Sequence, residues 1–129
     1  MESRAQSAES DNGLSTLSLQ RTAYADLLRQ SLQHIVQTLS ALEEVERISL
    51  FGSYARGHAD LFTDLDILVV METDQGFVER LRTLYALLAV PVDLDLICYT
   101  PQEFQSLKER PFLRRILQEE VVLYEKKRP

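Results

Sequence analysis

The sequence predicts an α/β (α+β) fold in a single domain, a β-sheet flanked by helices. Apolar runs of strand length alternate along the chain with stretches whose apolar residues recur every three or four positions. No internal repeat and no long linker divides the 129 residues, which match the size of one ordinary domain. A 45% hydrophobic content is enough for a core.

Residues 1–13 are polar and read as a disordered N-terminal tail, leaving 14–129 as the folded domain. From about Thr16 to Leu42, Tyr24, Leu27, Leu28, Leu32, Ile35, Leu39 and Leu42 mark one face of a helix. His34 lies off that stripe, as an exposed residue. Arg47 to Phe51 reads as a strand stopped by Gly52-Ser53, with Ser53 placed to cap a short helix running toward Gly57. The apolar run from Leu65 to Met71 predicts a strand buried on both faces. Asp74 resembles an N-cap for a helix whose stripe is Phe77, Leu81, Leu84 and Leu88. Pro91 to Tyr99 is a third strand. Thr100-Pro101-Gln102-Glu103 has the cap, the first-turn proline and the acid of a capping box. Pro111 opens a last helix with Phe112, Leu113, Ile116 and Leu117, and Val121 to Tyr124 can close the sheet.

Composition excludes several function classes. A net charge of −6 opposes broad gripping of phosphate backbones, so no direct nucleic-acid binding is expected. No run approaches the roughly 20 apolar residues of a membrane span. The N-terminus lacks a secretory pattern, and one cysteine, Cys98, rules out an internal disulfide and a multi-cysteine metal site. Together these favour a cytoplasmic protein.

The carboxylates carry the chemistry. Side chains alternate along a strand, so Asp64 and Asp66 share a face with Leu68 and Val70. Asp93 and Asp95 share a face with Ile97 and Tyr99, while Cys98 falls on the opposite, core-facing side. If the two strands are neighbours, three or four carboxylates converge. Like charges at short range raise one another's pKa, and burial adds a desolvation cost. A divalent cation removes that cost; Mg²⁺ takes hard oxygen ligands, commonly one or two carboxylates with waters and substrate phosphates. Upstream, Gly52-Ser53 ends a strand where backbone can approach a phosphate closely. Arg56 is placed either to reach phosphate or to form a structural ion pair. His58, in the same connecting loop, reads as exposed.

Gly52-Ser53, ten residues, then Asp64-Leu65-Asp66 resembles the GS-x10-DxD signature of the DNA polymerase β-like nucleotidyltransferase superfamily. The fuller GSYARG…TDLDILV is similar to its minimal nucleotidyltransferase (MNT) branch, with Thr63 where Ser is common. The resemblance covers about residues 47–124. It implies a palm-like domain with a mixed sheet. It also implies a third acid five residues before Thr100-Pro101, which selects Asp95, with Asp93 as the alternative. By this resemblance Asp64, Asp66 and Asp95 hold two Mg²⁺ ions, Asp95 helps deprotonate the attacking hydroxyl, and Gly52 and Ser53 contact the β and γ phosphates of ATP.

The resemblance further implies an antitoxin that transfers AMP from ATP to a hydroxyl, often a tyrosine, of a HEPN-domain toxin. Two alternatives remain: a non-catalytic module that masks the toxin, and a small-molecule nucleotidyltransferase such as an antibiotic-modifying enzyme. For a partner surface, apolar residues of the 16–42 helix and Arg80, Arg82, Arg114 and Arg115 compete with ordinary packing and solvated faces.

Overall fold

The computed structural model describes residues 2–127, with side chains from residue 16 onward. The elements in order are α1 (Glu2–Ser40), β1 (Val45–Phe51), α2 (Gly52–Ala55), β2 (Leu65–Met71), α3 (Phe77–Leu87), β3 (Leu94–Tyr99), α4 (Pro101–Leu107), α5 (Pro111–Glu119) and β4 (Val121–Glu125). The tail expected over residues 1–13 falls where side chains lie outside those described; α1 itself begins upstream of the periodic stretch.

The four strands form a mixed sheet in the order β3-β2-β1-β4. β1 is antiparallel to both β2 and β4, whereas β2 and β3 run parallel, joined through α3. Parallel neighbours need a crossover, and α3 supplies it.

β2 lies inside the sheet and is covered on both sides, which explains its nearly unbroken apolar sequence. Its Leu65, Ile67 and Val69 pack with Leu96 and Cys98 of β3 against Leu28, Ile35 and Leu39 of α1 and Leu84 of α3. Its Leu68 faces the other way, into a smaller cluster with Leu113 and Ile116 of α5, flanked by Phe51, Ile97, Tyr99 and Phe104. Each such fully buried aliphatic side chain contributes about 1.5–3 kcal/mol relative to exposure. The result is three layers: α1 and α3, the sheet, then α4 and α5.

Local signals decide the helix ends. Thr100 caps α4 as expected: its hydroxyl accepts the Glu103 N–H at 3.1 Å, and the Glu103 carboxylate accepts the Thr100 N–H at 2.8 Å. The cap expected at Asp74 is not formed; α3 starts after Gly76, with no side-chain cap. The Thr73 hydroxyl instead accepts the Gln75 N–H at 3.1 Å, carrying the turn further before the helix begins. Ser53 lies within α2 rather than capping it, because Phe51 occupies the cap position.

Arg80 is not a surface cation. It is 6% exposed and donates to the Gln75 carbonyl, to the Cys98 carbonyl at 3.3 Å and to Glu103 at 2.5 Å. The Arg80 hydrogen bond is the main reason the Glu103 carboxyl is held below its usual range. One side chain thus ties the start of α3 to the end of β3 and the start of α4.

Candidate active site

Strand register assembles the site. β1 ends at Phe51, whose partner on β2 is Asp66. On the parallel side, Asp66 is paired with Asp95. One step earlier, the Leu65 N–H donates to the Asp93 carbonyl at 2.9 Å, which sets Asp64 beside Asp93. Parallel partners stand about 4.8 Å apart with side chains on one face. The four carboxylates therefore gather where β2 and β3 begin, on the side covered further along by α4 and α5. Cys98 points to the opposite face and is fully buried, as expected.

Gly52 closes the site from β1. Its φ of +77° favours glycine, and a Cβ there would lie 2.9 Å from Asp66 Cγ and overlap the carboxylate. Backbone conformation and the Asp66 carboxylate thus both require glycine at this position. Ser53 follows at the start of α2, half-buried. The Arg56 guanidinium is half-exposed and 3.4 Å from Glu119 of α5, yet near enough to Asp66 to oppose the rise in its pKa. Arg56 thus forms the ion pair, with Glu119, while remaining in electrostatic reach of the acids. His34 and His58 are both exposed.

The loop before Asp64 is closed on itself. The Asp60 carboxylate accepts the Phe62 N–H at 2.9 Å and the Thr63 hydroxyl at 3.1 Å, and the Thr63 hydroxyl accepts the Asp60 N–H at 3.0 Å. This accounts for a hydroxyl residue at position 63.

Electrostatics mark the cluster as strained without a counter-charge. Asp66 is raised from 3.8 to about 6, first by burial, then by the Asp95 and Asp64 charges and a hydrogen bond shared with Asp95. Asp64 is raised by burial and then by Asp93 and Asp95. Among the described residues, no three or more His, Cys, Asp or Glu side chains already enclose a metal position. The donors present are carboxylate oxygens on one open face. They fit a hard cation that keeps water and takes phosphate oxygens as further ligands, and a cation's charge would reverse the rise at Asp66 and Asp64.

Two polar contacts to this region escape the sequence reading. Tyr24, read as part of the α1 core stripe, donates its hydroxyl to the Thr63 carbonyl at 3.0 Å. Tyr85 of α3 accepts the Leu96 N–H at 2.9 Å. For Tyr24 the available signal is that a tyrosine in an apolar stripe brings a polar tip to the rim of the core.

Residues 33–129 match the family described as Polymerase beta, Nucleotidyltransferase. A protein of Methanocaldococcus jannaschii, provisionally named a protein adenylyltransferase, is 38% identical over 80 residues, covering 62% of this chain and 79% of its own. A solved structure provisionally assigned as a minimal nucleotidyltransferase is 26% identical, with a TM-score of 0.51 over 75% of this chain and 93% of that one. A provisionally named nucleotidyltransferase from Sulfolobus solfataricus is 18% identical with a TM-score of 0.52, over 82% and 84% of the two chains, a likeness of fold. The chain belongs to the polymerase β-like nucleotidyltransferases, in their minimal branch. It is an enzyme of that class.

Proposed function

We propose that this nucleotidyltransferase transfers AMP from Mg²⁺-bound ATP to a protein hydroxyl, acting in the cytoplasm as the antitoxin of a HEPN-domain toxin whose modified residue is a tyrosine. The observation that carries the site assignment is the parallel pairing of Asp66 with Asp95, under a Gly52 that admits no side chain. Asp64, Asp66 and Asp95 hold the metals, with Asp93 the alternative third acid. When bound, Mg²⁺ supplies positive charge to the triphosphate and to the developing pyrophosphate. Gly52 and Ser53 present backbone to the β and γ phosphates, and Arg56 adds a cation at their edge. The acceptor oxygen attacks the α-phosphorus, the bond to the β-phosphate oxygen breaks, and pyrophosphate leaves. The hydroxyl proton passes to Asp95.

The protein acceptor is supported by the 38%-identical relative, whose name is that of a protein adenylyltransferase. It also agrees with the side chain of Phe62, 92% exposed two residues before Asp64. The toxin partner rests on the resemblance of the GSYARG…TDLDILV motif.

The test incubates the chain with ATP, Mg²⁺ and the product of the neighbouring gene, followed by intact mass. AMP-sized increments on the partner are expected, lost in Asp64→Asn and Asp66→Asn. An unmodified partner, or full neutralisation by the Asn variants, would overturn the transfer reading in favour of masking.

A further inference from the structure

Resting on that reading of the site, we propose that Tyr24 and Tyr85, both outside the motif, are positioning residues whose hydroxyls set the spacing of the metal-holding carboxylates. Each grips backbone next to one of the opposed acids. Tyr24 reaches from α1 across 39 residues of sequence to the carbonyl of Thr63, the residue immediately before Asp64. On the other side of Asp64, the Leu65 N–H is held by the Asp93 carbonyl. The peptide groups flanking Asp64 are thus both tied, and the direction of its Cβ follows from them. The Asp60–Thr63 turn bonds internally, and the Tyr24 hydroxyl links that turn to the helix layer.

Tyr85 performs the corresponding task on the outer strand. β3 is an edge strand, so alternate N–H groups point away from the sheet. The Leu96 N–H follows Asp95 directly, and the Tyr85 hydroxyl accepts it at 2.9 Å. An edge strand held from outside next to its acid is restrained from drifting away from β2, and the Asp66–Asp95 separation is restrained with it. Tyr24 packs against the main core from α1, and Tyr85 extends from α3, both helices of the layer on the far side of the sheet from the acids. The packing of those helices is thereby coupled to the geometry of the open site.

The test compares the full chain with Tyr24→Phe, Tyr85→Phe, the double variant and, as control, Tyr124→Phe. Each removes one oxygen from a ring that is not fully buried, so the fold is retained. Mn²⁺ binding is titrated by its paramagnetic resonance signal in the presence of a non-hydrolysable ATP analogue, and thermal midpoints are recorded on the same samples. Loss of one modest hydrogen bond corresponds to about threefold weaker Mn²⁺ binding in each single variant and about tenfold in the double. The Tyr124→Phe control should match wild type. Equal Mn²⁺ affinity in all variants overturns the inference, as does a fall in thermal midpoint without weaker binding, the mark of a merely structural contact. A wild-type chain that binds no Mn²⁺ overturns the reading of the site itself and is distinguishable from either result.

Discussion

Replacing Asp66 by Asn should make the metal-free protein more stable at neutral pH while abolishing transfer. Asp66 is raised from 3.8 to about 6, with burial as the first cause and the Asp95 and Asp64 charges next. At about 1.36 kcal/mol per tenfold change in proton affinity, that rise has a ceiling of roughly 3 kcal/mol. The site is open to water, and screening reduces the realised value to roughly 1.5 kcal/mol. The sign follows from proton binding. Between pH 3.8 and 6 the folded protein holds the Asp66 proton and the unfolded chain does not, so stability falls as pH rises through this window. Above about pH 6 the whole cost is present. The assay is thermal or urea unfolding in chelator from pH 4 to 8, wild type against Asp66→Asn. The difference between the two should grow across pH 4–6 and level off near neutrality, with the variant ahead by about 5 °C for a domain of this size. Adding MgCl₂ at pH 7.5 should raise the wild-type midpoint and leave the variant nearly unmoved, because ligand that binds only the folded state stabilises it. A pH-independent difference, or an Asn variant less stable than wild type at pH 7.5, would refute the charge-crowding account of the site.

Gly52→Ala should lower stability by at least about 1–2 kcal/mol, the cost of the left-handed conformation alone, and should eliminate labelling because its Cβ overlaps the Asp66 carboxylate. Urea unfolding and the mass assay check the two effects separately. Arg80→Leu should destabilise by about 2–3 kcal/mol, since it leaves the Gln75 and Cys98 carbonyls and Glu103 without their shared donor. A urea midpoint within error of wild type would show that the Arg80 network contributes nothing.

What the sequence discloses of this site depends on whether the information is local. Asp64 and Asp66 are legible because strand alternation alone puts them on one face, and the same holds for Asp93 and Asp95. The capping box at Thr100 and Glu103 is legible because its partners are three residues apart. Residue chemistry marks Gly52 as special, but not that its missing Cβ makes room for Asp66, since that contact spans two antiparallel strands. The Asp66–Asp95 register is equally hidden. It is a pairing between two strands separated in sequence by the α3 crossover, and no residue beside the acids discloses it. Arg80 shows the same limit from another side. Its spacing on α3 suits a solvated helix cation, and only the fold reveals that two carbonyls and a carboxylate converge on it. Asp74 illustrates competition, for a hydroxyl one residue earlier supplies the turn that an aspartate cap would have made. The site is thus built from a local pattern that names its acids and from non-local contacts that space them. A chain carrying the motif with a loosened helix layer should therefore keep its ligands and lose their geometry.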